Sequence, residues 1–212
     1  MTNAWKQAGL KVGVFGACLS PIVILAWQAL TDNLGANPID EITDQTGIWT
    51  LRFLLITLAV TPARRLAGWN RLIRFRRMLG LFAFFYGSLH FMTYLWLDQF
   101  FAIEEIIADV MERPFITVGF ASFVLLIPLA ITSTTAMIKR LGGKWWQRLH
   151  RLVYAIAIGG VVHYLWLVKA DIQQPVIYGT ILGGLLAYRL WDTYGRRLLA
   201  GSTLTPKSAV RR

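Results

Sequence analysis

The sequence predicts an all-α integral membrane protein: a six-transmembrane-helix bundle with both termini cytoplasmic. Three observations predict it. The apolar residues come in six blocks rather than in amphipathic stripes. The chain is 56% hydrophobic with a mean hydropathy of +0.51, and only 16% of its residues are charged, against about 25% in soluble domains. The charges that remain are sorted loop by loop. At 212 residues, one membrane domain covering 1–212 accounts for nearly the whole chain.

The blocks are 12–30, 48–61, 79–97, 115–138, 152–168 and 176–194, each near the roughly 20 residues a spanning helix needs. The first follows Lys6 and Lys11 as a signal peptide would, but it has no clear small-residue cleavage site and is read as a retained helix. The second is short and carries Arg52 near its outer end. The third and fifth carry His90 and His163. Residues 195–212 form a short basic cytoplasmic tail.

Orientation follows the Lys and Arg bias. Arg64, Arg65, Arg71, Arg74, Arg76 and Arg77 crowd the second loop, and Lys139, Arg140, Lys144, Arg148 and Arg151 crowd the fourth. With these inside, Asp32, Asp40, Glu41, Asp44, Asp98, Glu104, Glu105, Asp109, Glu112 and Asp171 all fall outside, and Asp192 alone stays on the inner side. The net charge of +11 and pI of 10.3 then describe an inner membrane face and its lipid, not a nucleic-acid partner. Trp27, Trp49, Trp96, Trp145, Trp166 and Trp191 fall near predicted helix ends, where indoles anchor at the interface. The small-residue pairs Gly9/Gly13 and Gly179/Gly183 allow close helix contact. A lone Cys18 excludes an internal disulfide.

Ionisable groups inside hydrocarbon are expensive and mark function by default. His90 lies about seven residues from the outer end of the third block and His163 about six from that of the fifth, so at about 1.5 Å per residue they share one depth. Each is followed by a Tyr-Leu-Trp-Leu run, at 94–97 and 164–167. Two neutral imidazoles at one height can ligate an iron from opposite sides, and bundle cores hold such cofactors. The bland alternative is one interhelical hydrogen bond from each ring. No Cys or acidic residue joins them, which disfavours zinc. His150 stands at the cytoplasmic mouth of the fifth block, thirteen residues before His163, about 20 Å lower and about 140° around an ideal helix.

The segments GSLHFMTYLWLD around His90, WWQRLHRLVY around His150 and VVHYLWLVKAD around His163, with the Arg-rich run 71–77, resemble the MsrQ (YedZ) family over essentially the whole chain. This is the haem-binding subunit of the periplasmic protein-methionine-sulfoxide reductase system, within the ferric-reductase-like transmembrane superfamily. The resemblance implies haem b, one or two per chain, with His90, His163 and His150 as metal ligands. Relatives carry a histidine fourteen residues before the position of His90, where this chain has Arg76. Arginine offers no accessible lone pair but suits a haem propionate or a flavin phosphate, and Met78 is an alternative inner ligand beside His150. FMN enters as a cofactor by resemblance only.

No Gly-rich dinucleotide fingerprint follows the last block, so electrons are expected from elsewhere, and the resemblance implies the quinone pool or a flavin. The implied function is electron transfer in the bacterial inner membrane to a periplasmic molybdopterin-containing catalytic subunit that reduces methionine sulfoxide in oxidised proteins. Two other classes stand beside it: a stand-alone ferric or quinone reductase, and a haem-free transporter or scaffold. The second is disfavoured by the absence of broken-helix pairs and intramembrane carboxylates.

Overall fold

The computed structural model describes residues 2–168 and 170–195, which are helical almost throughout and contain no strand. Two long helices open the chain, α1 (Thr2–Leu30) and α2 (Pro38–Leu66). A 3-10 turn (Asn70–Arg74) leads into α3 (Arg76–Met92), which loosens into a π-helical turn at Thr93–Asp98. Then come α4 (Ile103–Glu112), α5 (Pro114–Ile131), α6 (Thr135–Leu141), α7 (Gly143–Leu149), α8 (Leu152–Leu167) and α9 (Gln173–Leu190), the last ending in a π turn at Trp191–Gly195. Of the expected basic tail, residues 196–212 lie outside the described residues, as does Lys169.

Four helical stretches among the described residues are long and apolar enough to cross a membrane: Gln7–Leu30, Pro38–Leu66, Arg76–Asp98 and Pro114–Ile131. Helix α2 runs well beyond the apolar block 48–61. Its first turns are polar, yet Pro38 in the first turn and Asp40 and Glu41 beside it suit a helix start by geometry and by dipole. The apolar block 115–138 divides into α5 and α6. The Thr132 and Ser133 hydroxyls donate back to the carbonyls of Pro128 and Leu129, which satisfies the last turn of α5. Thr134 then caps α6 by accepting from the Met137 N–H.

Prolines inside the long helices leave carbonyls without a backbone donor, and in an apolar surround each must find another. Pro21 strands the Ala17 carbonyl, which takes the Ser20 hydroxyl at 2.9 Å. At the same turn the Tyr86 hydroxyl of α3 accepts from the Ile22 N–H and donates to the Cys18 carbonyl at 2.9 Å, bolting α1 to α3. Pro62 strands the Leu58 carbonyl of α2. Arg189 of α9 donates to it at 2.6 Å and to the Tyr154 hydroxyl of α8 at 2.6 Å, so one guanidinium ties three helices.

Helix α2 is the hub: it packs most extensively along α3 and also touches α1, α8 and α9, while α5 lies along α8. On one side of α2, Phe53 stacks on Phe82 and Tyr86 with ring centres 5.7 and 5.3 Å apart, in a core that includes Cys18, Leu126 and Ile156. On the other side Leu51, Leu55 and Leu58 meet Ala157, Tyr178 and Leu182. The pairs α2–α3 and α5–α8 pack on each other and line one cavity between them, which His90 and His163 border.

Candidate functional site

His90 projects from the last turns of α3 and His163 from those of α8. Their ring centres lie 6.1 Å apart, with the planes inclined by 75°. Each ring is seated in the same manner on a different helix. The His90 Nδ1–H donates to the Thr43 carbonyl of α2 at 2.9 Å, and the His163 Nδ1–H donates to the Phe115 carbonyl of α5 at 2.7 Å. Four residues beyond each carbonyl stands a glycine. A Cβ on Gly47 would sit 3.0 Å from the His90 ring, and one on Gly119 only 2.6 Å from His163 Nδ1. A side chain at Gly119 would force the His163 ring to shift, and one at Gly47 would press tightly on the His90 ring.

These bonds fix the tautomer. A carbonyl only accepts, so Nδ1 carries the proton in both rings and Nε2 keeps its lone pair. Neither Nε2 has a hydrogen-bond partner among the described residues. A ligating histidine that gives its other N–H to a backbone carbonyl is the usual way a metal ligand is oriented. Two imidazoles binding one metal from opposite sides at about 2 Å would place their ring centres about 6 Å apart, which matches the separation found.

The two rings border a cavity of about 330 Å³, within the roughly 300–1,000 Å³ range of small-molecule and cofactor sites. Its wall is mainly apolar, including Leu54, Phe91, Phe120, Phe123 and Ile156. At its mouth the polar groups are Asp44, Tyr94, Asp98 and Arg113, and Ile106 and Val110 of α4 close over it. A ladder through Asp109 holds α4 there: it accepts from Tyr94 and Gln99 at 3.3 and 3.0 Å and pairs with Arg113 at 3.1 Å. Among the described residues no three His, Cys, Asp or Glu side chains gather into a metal site. An iron already held by a porphyrin needs only two axial ligands from protein.

His150 is not brought to this cavity. It caps α7, half-buried, with its ring stacked on Trp146 at 4.0 Å. The Thr132 hydroxyl spends its proton on Pro128, so it accepts from His150 Nε2–H at 3.0 Å, and Nδ1 is the nitrogen left with a lone pair. Burial lowers the pKa of His150, and the charge of Arg76 lowers it further. Arg76, the first residue of α3, lies within electrostatic reach of Arg64, Arg189 and Tyr154 as well. The sequence-predicted residues thus fall into two groups, His90 with His163 and His150 with Arg76. Met78 packs against the same core as Phe53 and Phe82. Gly47, Gly119 and the two acceptor carbonyls were not picked out from sequence.

The family model for the ferric reductase like transmembrane component matches residues 46–161. Among curated proteins, the chain is 60% identical to the protein-methionine-sulfoxide reductase heme-binding subunit MsrQ of Herminiimonas arsenicoxydans, over 89% of this chain and 87% of that one. The chain belongs to the MsrQ family. The MsrQ of Azospira oryzae is 54% identical over 87% of this chain and 80% of its own. That of Xanthomonas campestris pv. campestris is 48% identical over 95% of each. No solved structure matches the chain. The family match includes Arg76, His90 and His150 and ends two residues before His163, so the MsrQ relatives, whose alignments span most of the chain, extend the likeness past it.

Proposed function

We propose that this chain is a b-type haem electron-transfer subunit of the bacterial inner membrane, delivering electrons from the quinone pool or a flavin to a periplasmic molybdopterin-containing methionine sulfoxide reductase. The observation that carries it is the matched seating of His90 and His163: two neutral imidazoles 6.1 Å apart, each tethered through Nδ1 to a carbonyl and closed against a glycine. The names of the MsrQ relatives support haem as the group. An axially ligated haem supplies reversible one-electron chemistry at its iron. The protein's own residues do the rest. Thr43 and Phe115 hold the ligand nitrogens inward, Phe91, Phe120 and Phe123 keep water out, and the ladder from Tyr94 to Arg113 covers the outer mouth.

Six spans with both termini cytoplasmic complete the reading, with 1–212 as one transmembrane domain. Helices α8 and α9, of 16 and 18 residues, are about 24 and 27 Å long, which suffices when interfacial residues complete the crossing. The segregation of acidic and basic loops supports the orientation. Arg76 and His150 would serve an inner cofactor, His150 as a ligand through Nδ1 and Arg76 as partner of a propionate or of an FMN phosphate.

The test is spectroscopic and functional. The protein purified in detergent should be coloured, show a six-coordinate b-type spectrum on dithionite reduction, and be reoxidised by its periplasmic catalytic partner given methionine sulfoxide. A colourless protein, or haem that the partner cannot reoxidise, contradicts the proposal.

A further inference from the structure

Arg52 is a cation inside α2 that forms no ion pair among the described residues. Its Nε donates to the Tyr178 hydroxyl of α9 at 2.9 Å, and its guanidinium lies 4.7 Å from the ring centre of Trp49. Its other N–H groups have no hydrogen-bond partner among the described residues. Arg52 is half-buried, and the same two helices expose Ile56, Ile177 and Ile181. An arginine so placed in hydrocarbon is costly unless something accepts its protons, and such residues mark ligand sites by default.

The group does not belong to the histidine cavity, whose wall includes Ile48 and Leu51 but not Arg52. It does adjoin it. The Tyr178 ring is 6.3 Å from that of Tyr164, which lines the cavity and follows His163 in sequence. Tyr164 lies within electrostatic reach of Asp44, Asp171 and Arg52, so a file of polar groups leads from Arg52 toward the outer face. A ligand here must be soluble in lipid and carry an acceptor oxygen.

We propose that Arg52 and Tyr178, with Trp49 as an aromatic floor, bind the oxygen-bearing ring of a membrane quinone. This rests on the reading that the chain carries electrons through haem held by His163. In the quinone form one Arg52 Nη–H and the Tyr178 hydroxyl, which itself accepts from Arg52 Nε, donate to the two lone pairs of one carbonyl oxygen. Oxidation of the bound quinol would release two electrons and two protons: the electrons would pass one at a time to a ferric haem held by His163, the first being handed on before the second arrives, and the protons would pass through water toward the outer face, where Asp44 and Asp171 lie near Tyr164.

The test uses the haem-loaded protein and a soluble quinol, duroquinol, with haem reduction followed by stopped flow. Loss of charged hydrogen bonds should slow reduction of Arg52→Gln by roughly tenfold or more. Arg52→Lys should recover part of the rate, and Tyr178→Phe should slow it severalfold. Dithionite should still reduce all three variants to the unmodified spectrum, which shows that the haem is intact. If duroquinol reduces the unmodified protein and Arg52→Gln and Tyr178→Phe at one rate, the site is wrong although the quinone reading stands. If duroquinol does not reduce the unmodified protein, the quinone reading itself fails and takes the site with it. Co-purified phospholipid lost from Arg52→Gln, with duroquinol rates unchanged, also overturns the proposal and assigns Arg52 to a lipid headgroup phosphate.

Discussion

In the orientation proposed above, the outer and inner halves of the bundle solve the problem of polar groups in an apolar surround in opposite ways. In the outer half, two histidines are kept neutral, each spends its single proton on a backbone carbonyl, and each keeps one nitrogen lone pair with no hydrogen-bond partner among the described residues. In the inner half, His150 has its Nε2 hydrogen-bonded and its ring stacked, and the neighbouring groups are cations: Arg64, Arg76 and Arg189. Arg65 and Asp192 form an ion pair there. On the proposed reading, the outer half accepts a metal between two ligands. On the same reading, the inner half accepts negative charge.

The sharpest way to break that contrast is steric. Gly119→Val puts bulk where a Cβ alone would meet His163 Nδ1 at 2.6 Å. Expelling a ring from a packed site costs about 1–3 kcal/mol or more, so haem retained after purification should fall by about tenfold or more. Gly47→Ala, with 3.0 Å of clearance, should lose less. Equal haem content in Gly119→Val and the unmodified protein would show that the glycine seat is incidental.

A second prediction concerns stability in the inner half. Arg189→Met leaves the buried Leu58 carbonyl, already without its helical donor because of Pro62, with no partner. An unpaired buried carbonyl costs about 1–3 kcal/mol. Thermal unfolding in detergent should shift down, while the folded fraction keeps the outer-haem spectrum. An unchanged melting temperature would contradict the role given to Arg189.

Much of this was legible in the chain and some was not. Membrane character, helical class and matched depth of His90 and His163 follow from block composition and from counting residues along helices. The division of 115–138 into α5 and α6 was hidden because Thr132, Ser133 and Thr134 are too few and too small to interrupt an apolar window; only their hydroxyls' bonds end the helix. Helix α4 was hidden by its charge, since Glu104, Glu105 and Asp109 mask the stripe Ile103, Ile106, Ile107, Val110. Gly47 and Gly119 gave no signal, because a glycine in an apolar block has many packing uses and only the facing ring distinguishes these two.

The smallest expected effect lies at the α1–α3 bolt. Tyr86→Phe removes one hydroxyl that serves both the Ile22 N–H and the Cys18 carbonyl. It should cost about 1 kcal/mol and leave the haem spectrum alone, checked by melting and absorption on one sample. A spectral change there would mean that the helix pair, and not the imidazole seats, sets the site.

The contrast between the halves is tested most directly by the dithionite-reduced absorption spectra, with haem quantified per chain, of His90→Ala, His163→Ala and His150→Ala. The outer six-coordinate signal should vanish in both of the first two and survive in the third, which should lose at most an inner haem. Retention of the full spectrum and haem content in His90→Ala and His163→Ala would contradict the account.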